Sequence, residues 1–304
     1  MTKNIIKTRY TADEAFAYVA DVTLKHYENF PVASLFLPAE KRPYIQSIYA
    51  FARTADDFAD EDSLDPETRL QKLDEWEFQL KECYQGKAEH PIFIALHETV
   101  SKLSIPIQPL SDLLKAFKQD VQKNSYKNFN ELLDYCKYSA NPVGRLVLMI
   151  FGYKDEDYFK LSDKICTALQ LTNFYQDVKV DLQKNRIYIP EDEIHSFGYS
   201  VNELTKHIYN DAYKKLMKHQ IERTRSLYYE GATLPLLVDK DLQLELKLVW
   251  FGGISMLNKI EKRKYNVFSK HVKLSSLNKV VIFLRGLFYN DISKYRKRSL
   301  WDLT

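Results

Sequence analysis

Glycine and proline are scarce, with 8 and 10 residues in a chain of 304, roughly half or less of average usage for Gly and somewhat below it for Pro. So little turn-forming material argues against a hairpin-rich fold and for helices. Cysteine is rarer. Cys83, Cys136 and Cys166 stand apart with no CxxC pair, so neither a disulfide framework nor a thiolate zinc site is indicated, and a cytoplasmic location is expected. Long apolar runs are missing as well: the best candidate, Val280 to Leu284, stops at Arg285, far short of the ~20 residues that span a bilayer. There is no GxxxxGK[ST] loop, no EF-hand loop and no GxGxxG. Phosphate held by a P-loop and calcium held by an EF-hand are therefore excluded.

Charge of one sign is also lacking overall, and a net +3 gives no reason to expect a nucleic-acid partner. Its distribution is uneven. Lys259 to Thr304 holds twelve Lys and Arg against Glu261, Asp291 and Asp302, a net +9, which leaves −6 for the residues before it. Such a segment is either a solvated helix surface or one that faces phosphates or the anionic headgroups of the inner membrane, as a peripheral contact.

What the chain does have is rings, 21 Tyr and 17 Phe, enough for an aromatic core or an aromatic-lined pocket. Apolar spacing and caps predict about ten helices. The first runs over 11–28, with a Thr11/Glu14 capping box. The next run from near Ala39 to Asp62–Pro66, over 66–85 with Gly86 as the stop, and from His90-Pro91 to Leu103. Ser111 is expected to cap another. A helix over 129–151 should kink at Asn141-Pro142, and one over 156–182 should give way to an extended Arg186–Pro190 segment. Beyond these lie a short helix at 191–195, a long one from Ser200 to Tyr229, and two more over 241–263 and 275–290. No repeat or linker interrupts the chain, so a single all-α domain over 1–304 is expected.

Two of these helices carry polar stripes. In YAFARTADDFADE, Tyr49, Arg53, Asp56 and Asp60 are spaced four, three and four; in QLTNFYQDVKVD, Gln170, Asn173, Asp177 and Asp181 are spaced three, four and four. Side chains three and four apart share one helix face. Asp56, Asp57, Asp60 and Glu61 crowd together in a way that calls for compensation. The second stripe, beside Leu169, Leu171 and Val178, is expected to point inward, where carboxylates need a partner or a metal. Each pair alone could instead be structural, matched by lysines. Oxygen donors without Cys or His suit Mg²⁺, with Mn²⁺ possible, and Mg²⁺ tends to share phosphate oxygens with a substrate. Arg53 and Arg186 are the natural counter-ions for a diphosphate. Metal-assisted loss of diphosphate would leave a carbocation, which needs a dry pocket with ring faces. Phe30, Tyr49, Tyr135, Phe174 and Tyr175 are candidates, with plain core packing as the alternative for each.

The pattern YxxxRxxDxxxD at Tyr49–Asp60, followed by QxxNxxxDxxxD at Gln170–Asp181 and RxYxP at Arg186–Pro190, resembles the squalene/phytoene synthase family. The resemblance runs from about Asp21 to Lys270. It implies an isoprenoid-synthase-type helical bundle with a central cavity and a prenyl diphosphate substrate. It further implies Mg²⁺ on Asp56 and Asp60 and on Asn173, Asp177 and Asp181. Tyr49, Arg53 and Gln170 would touch diphosphate or prenyl chain, Tyr188 and Arg186 would join them from RxYxP, Tyr135 would line the cavity, and Asp120 would add an acidic wall residue. The segments ENFPVAS, YAFARTADD, YCKYSANPVG and LTNFYQDV resemble most closely the hydroxysqualene-forming branch of bacterial hopanoid pathways. That branch ionises presqualene diphosphate and captures the cation with water, without NADPH. Many relatives have VAG where this chain has Ser139-Ala140-Asn141, and arginine where it has Gln176, so Ser139, Asn141 or Gln176 could position the water. Gly253 stands where some relatives have tyrosine, and Lys270 falls near a family arginine. Condensation of two prenyl diphosphates such as farnesyl diphosphate, to presqualene diphosphate, squalene or phytoene, uses the same metal site. A non-catalytic scaffold relative is the reading outside enzymology.

Overall fold

The computed structural model describes residues 10–25 and 37–288. Among them the fold is all-α, with fourteen helices and no strand beyond one isolated bridge between Ser125 and Ile187. The chain divides into two compact units, one of residues 1–122 and 146–153, the other of residues 123–145 and 154–304.

In the first unit α1 (Ala12–Lys25), α2 (Arg42–Ala59), α3 (Pro66–Tyr84), α4 (Pro91–Leu103) and α5 (Gln108–Gln122) surround α2, which packs on the other four. Local sequence sets the starts. Glu14 N–H donates to Thr11 Oγ1 (3.3 Å) and Thr11 N–H to Glu14 Oε2 (3.0 Å), the expected reciprocal cap. Asp65 accepts from Thr68 N–H at 3.0 Å ahead of Pro66, whose missing N–H costs nothing in the first turn. The core is a ring cluster: Trp76 lies 4.5 Å from Phe93 and stacks on Phe51. Phe51, Ala55 and Ala59 turn one side of α2 into this core, and so leave its polar stripe on the other side.

The second unit is built on α8 (Glu156–Gln183), which packs against α6 (Phe129–Ser139), α11 (Asp211–Glu230), α12 (Leu234–Leu237) and α13 (Lys240–Lys262). The helix α7 (Asn141–Ile150) begins here, and its residues from 146 on belong to the first unit. Between α8 and α11 come α9 (Glu191–Ser196) and α10 (Val201–Thr205); α14 (Ser276–Phe288) closes the described chain and packs on α13. A polar network supports α8 from behind. The Tyr175 hydroxyl donates to Gln220 Oε1 (2.8 Å), Gln220 Nε2 donates to Glu193 Oε2 (2.5 Å), and Arg223 grips Glu193 with both terminal nitrogens. The Arg223 guanidinium also lies 3.3 Å over the Phe129 ring.

Four expectations about elements change. α2 ends at Ala59 rather than near Asp62–Pro66, which makes Asp60 its C-cap. α5 starts at Gln108, ahead of Ser111, because Pro109 is tolerated in a first turn. The kink expected at Asn141-Pro142 is a full break, with Ala140 (φ −114°) between α6 and α7. The long helix from Ser200 is two helices: His207 takes a left-handed φ of 55°, and Asn210 caps afresh by accepting from Tyr213 N–H at 2.9 Å. The extended Arg186–Pro190 segment is present, tied down by Ile187 N–H to Asn124 O (2.7 Å).

Candidate functional site

On α2 the stripe Tyr49, Arg53, Asp56, Asp60 is half-buried throughout. The Asp60 N–H bonds to Asp56 O at 2.9 Å, so the two carboxylates stay one turn apart although the helix has ended. The carboxylates of Asp56, Asp57 and Asp60 gather at the C-terminal end of α2, where the helix dipole is already negative. That costs stability and concentrates negative potential. The compensation comes from the same helix: Arg53 Nη1 donates to Asp56 Oδ2 at 3.0 Å and Nη2 pairs with Asp57, while the buried Arg53 Nε has no hydrogen-bond partner. Burial raises the Tyr49 phenol; Arg53 opposes this, and Asp57 and Asp56 add to it. Tyr49 therefore stays a hydrogen-bond donor. Asp120 is half-buried near the end of α5, which packs on α2.

On α8 the stripe is more open than expected. Asn173 is exposed, and Gln170, Asp177 and Asp181 are half-buried. The residues between them explain it: Leu171, Thr172, Phe174, Tyr175 and Val178 take the buried side of α8, and the stripe lies well over a quarter-turn away from that side. The stripe is thus less buried than the inward-pointing expectation implies. These carboxylates are reachable from solvent.

A residue that the spacing did not single out meets this stripe. His271 Nε2 lies 2.5 Å from Asp177 Oδ1, and next to it Gln176 Nε2 donates to Val272 O at 2.9 Å. The turn after α13 is thereby fastened to α8. The side chain of Lys270 is exposed, and it is the neighbouring histidine that reaches the acidic face. No periodicity could have revealed this contact between residues 94 positions apart.

Asp181 and Arg186 line a small recess together with Phe174, Val178 and Tyr188. Phe174 and Tyr188 stack at 3.7 Å with an interplanar angle of 4°, and Tyr135 and Tyr126 extend the pile. Tyr175 belongs to the core instead, fully buried and bonded to Gln220. Of the three candidates for holding water, Asn141 Oδ1 accepts from the Thr167 hydroxyl at 2.9 Å and Gln176 is tied to Val272, whereas the buried Ser139 Oγ has no hydrogen-bond partner. Gly253 is filled in by a neighbour: a Cβ there would stand 2.0 Å from the Tyr228 hydroxyl oxygen. Phe30 lies outside the described residues.

The donor set fits a hard divalent ion. Every candidate ligand on the two stripes is a carboxylate or amide oxygen. Among the described residues no three His, Cys, Asp or Glu side chains gather to hold a metal unaided.

The squalene/phytoene synthase family model matches residues 23–278 and crosses both units. The chain belongs to that family. This family member is 36% identical over 223 residues to a hydroxysqualene synthase from Rhodopseudomonas palustris, covering 73% of this chain and 74% of that protein. It is 26% identical over 289 residues to a phytoene synthase from Arthrospira platensis, covering 91% and 93%. Among solved structures it resembles squalene synthase HpnC from Alicyclobacillus acidocaldarius, with 38% identity, a TM-score of 0.81 and 84% and 96% coverage. It also resembles a dehydrosqualene synthase in complex with a ligand, with 26% identity, a TM-score of 0.82 and 94% and 98% coverage. The fold is therefore of the squalene-synthase type of helical isoprenoid synthase, and the family's substrates are prenyl diphosphates. Among the described residues no helix is long and apolar enough to cross a membrane.

Proposed function

We propose that both units work as one catalytic domain that ionises presqualene diphosphate and captures the cation with water, giving hydroxysqualene, diphosphate and a proton. The observation that carries metal-assisted loss of diphosphate is the all-oxygen donor set on two solvent-reachable helix faces. Likeness to a hydroxysqualene synthase at 36% and to an HpnC squalene synthase at 38% supports the branch.

Asp56 and Asp60 on one face, and Asn173, Asp177 and Asp181 on the other, would hold magnesium or manganese. When bound, the ion neutralises diphosphate charge and makes it a better leaving group. Arg53 and Arg186 grip phosphate oxygens as bidentate donors, and Tyr49 and Gln170 add hydrogen bonds. The carbon–oxygen bond breaks and its electron pair leaves with the diphosphate. Ring faces of Tyr135, Phe174 and Tyr188 stabilise positive charge on carbon. Ser139 Oγ, buried and without a partner, holds the water whose oxygen adds to the rearranged cation and whose proton is released. His271 acts through Asp177 by orienting its carboxylate. No hydride donor enters, so NADPH is not required. We place the reaction in the cytoplasm.

The second reading is condensation of two prenyl diphosphates, supported by likeness at 26% identity to a phytoene synthase and to a dehydrosqualene synthase. Incubation with Mg²⁺ and no NADPH, first with farnesyl diphosphate and then with presqualene diphosphate, separates the two by mass spectrometry. Hydroxysqualene from presqualene diphosphate is the expected product. Hydrocarbon or presqualene diphosphate from farnesyl diphosphate would establish the second reading, and turnover of neither would leave a scaffold. Ser139→Ala should shift product from alcohol to hydrocarbon; an unchanged ratio removes Ser139 from water capture.

A further inference from the structure

Thirteen large apolar side chains are exposed among the described residues, and six of them lie on α14. These are Leu277, Val280, Val281, Leu284, Leu287 and Phe288, spaced three, one, three, three and one, so they form a single stripe along one side of the helix. Leu277 and Phe288, at its two ends, are 72% and 76% exposed. The remaining seven are scattered over the chain.

Packing explains why this side faces out. Ile282 and Gly286 are the buried residues of α14. Gly286 approaches α13 so closely that an added Cβ would stand 2.9 Å from Leu248 Cδ2. The helix is pinned by its small side and turns its broad apolar side to water, an arrangement that favours a partner.

Charge identifies the partner. Lys273 and Lys279 are exposed at the N-terminal end of α14, and Lys259 to Phe288 holds eight Lys and Arg against Glu261 alone. A second copy of the chain would bring two such segments together against their repulsion. An anionic bilayer meets both demands: headgroups for the basic residues and acyl chains for the stripe. We propose that α14 lies flat in the surface of an anionic membrane, with Leu277, Val280, Val281, Leu284, Leu287 and Phe288 inserted below the headgroups. The proposal is independent of the reaction assigned above.

Co-sedimentation of the full chain with vesicles tests it, using phosphatidylcholine alone and phosphatidylcholine with phosphatidylglycerol at about 2:1. The wild-type chain should pellet with the anionic vesicles, weakly with neutral ones, and less as salt rises. Val280→Ser/Leu284→Ser/Leu287→Ser should lower the bound-to-free ratio about tenfold or more, with a thermal melt like the wild type because all three positions are exposed. Lys273→Gln/Lys279→Gln, which leaves the stripe intact, should lose binding severalfold on anionic vesicles only. Wild-type chain left in the supernatant with both vesicles overturns the proposal, as does a stripe variant that binds like wild type. A wild-type dimer that the stripe variant converts to monomer in analytical ultracentrifugation would also overturn it and give the face to a second copy.

Discussion

Glu245 sits on α13, 6% exposed, and its Oε2 has no hydrogen-bond partner. Burial pushes its carboxyl up to about 7 from an ordinary 4.5. In the native chain the proton is therefore held through a pH range in which the unfolded chain has already released it. The native state binds more protons there, so stability falls as pH rises from about 4.5 to about 7 and levels off above. A rise of about 2.5 units at 1.36 kcal/mol each amounts to roughly 3 kcal/mol, a large part of the 5–15 kcal/mol typical of a folded protein. Glu245→Gln keeps the shape and has no proton to lose. Relative to wild type, the variant should gain roughly 3 kcal/mol between pH 4.5 and pH 8, because the linked loss is absent from its curve. Urea unfolding of both chains across this range measures the difference directly, and contributions from other groups cancel. Parallel curves would refute the reasoning, since they would mean that the Glu245 carboxyl is solvated or paired and ionises normally.

Asp56→Asn and Asp177→Asn should each lower diphosphate release by roughly 10²–10³-fold with little change in the thermal midpoint, as expected for groups that stabilise a leaving group; wild-type turnover in either variant would remove that face from the chemistry. His271→Ala should raise the magnesium concentration for half-maximal rate severalfold, because Asp177 loses its orienting partner, and an unchanged metal dependence would make the contact purely structural. Burial works against ionisation of Glu193, but hydrogen bonds from Arg223 and Gln220 outweigh it and hold its carboxyl below the usual range. Its stability contribution is thus present above about pH 4.5 and lost as pH falls through the lower native value. Glu193→Gln should flatten that acid limb and cost roughly 3 kcal/mol at pH 7 by leaving Arg223 unmatched, again read from urea unfolding. Gly253→Ala should lose roughly 1–3 kcal/mol despite alanine's better helix propensity, because its Cβ would meet the fully buried Tyr228, whose hydroxyl bonds Thr172 at 3.1 Å; a stabilised variant would contradict this.

Much of the helix set was legible because its signals are local. Asp65 before Pro66, the Thr11/Glu14 box and Gly86, with its left-handed φ of 76°, act within a few residues of themselves, and spacing alone put Tyr49, Arg53, Asp56 and Asp60 on one face. Where two local signals compete, the nearer cap prevails. Ser200 opens only a five-residue helix because Asn210 is a second cap close behind it.

The chain's own order of residues thus sufficed for the all-α class, for both polar stripes and their oxygen chemistry, and for membership in a family. Packing in three dimensions decided the rest. It left Asn173 exposed while burying Phe174 and Tyr175, brought His271 to Asp177, closed the Phe174–Tyr188 stack, and left the apolar side of α14 uncovered. The physical reason is that spacing along a helix says which side chains travel together. Which way that face looks depends on neighbours far away in sequence, competing for the same buried volume.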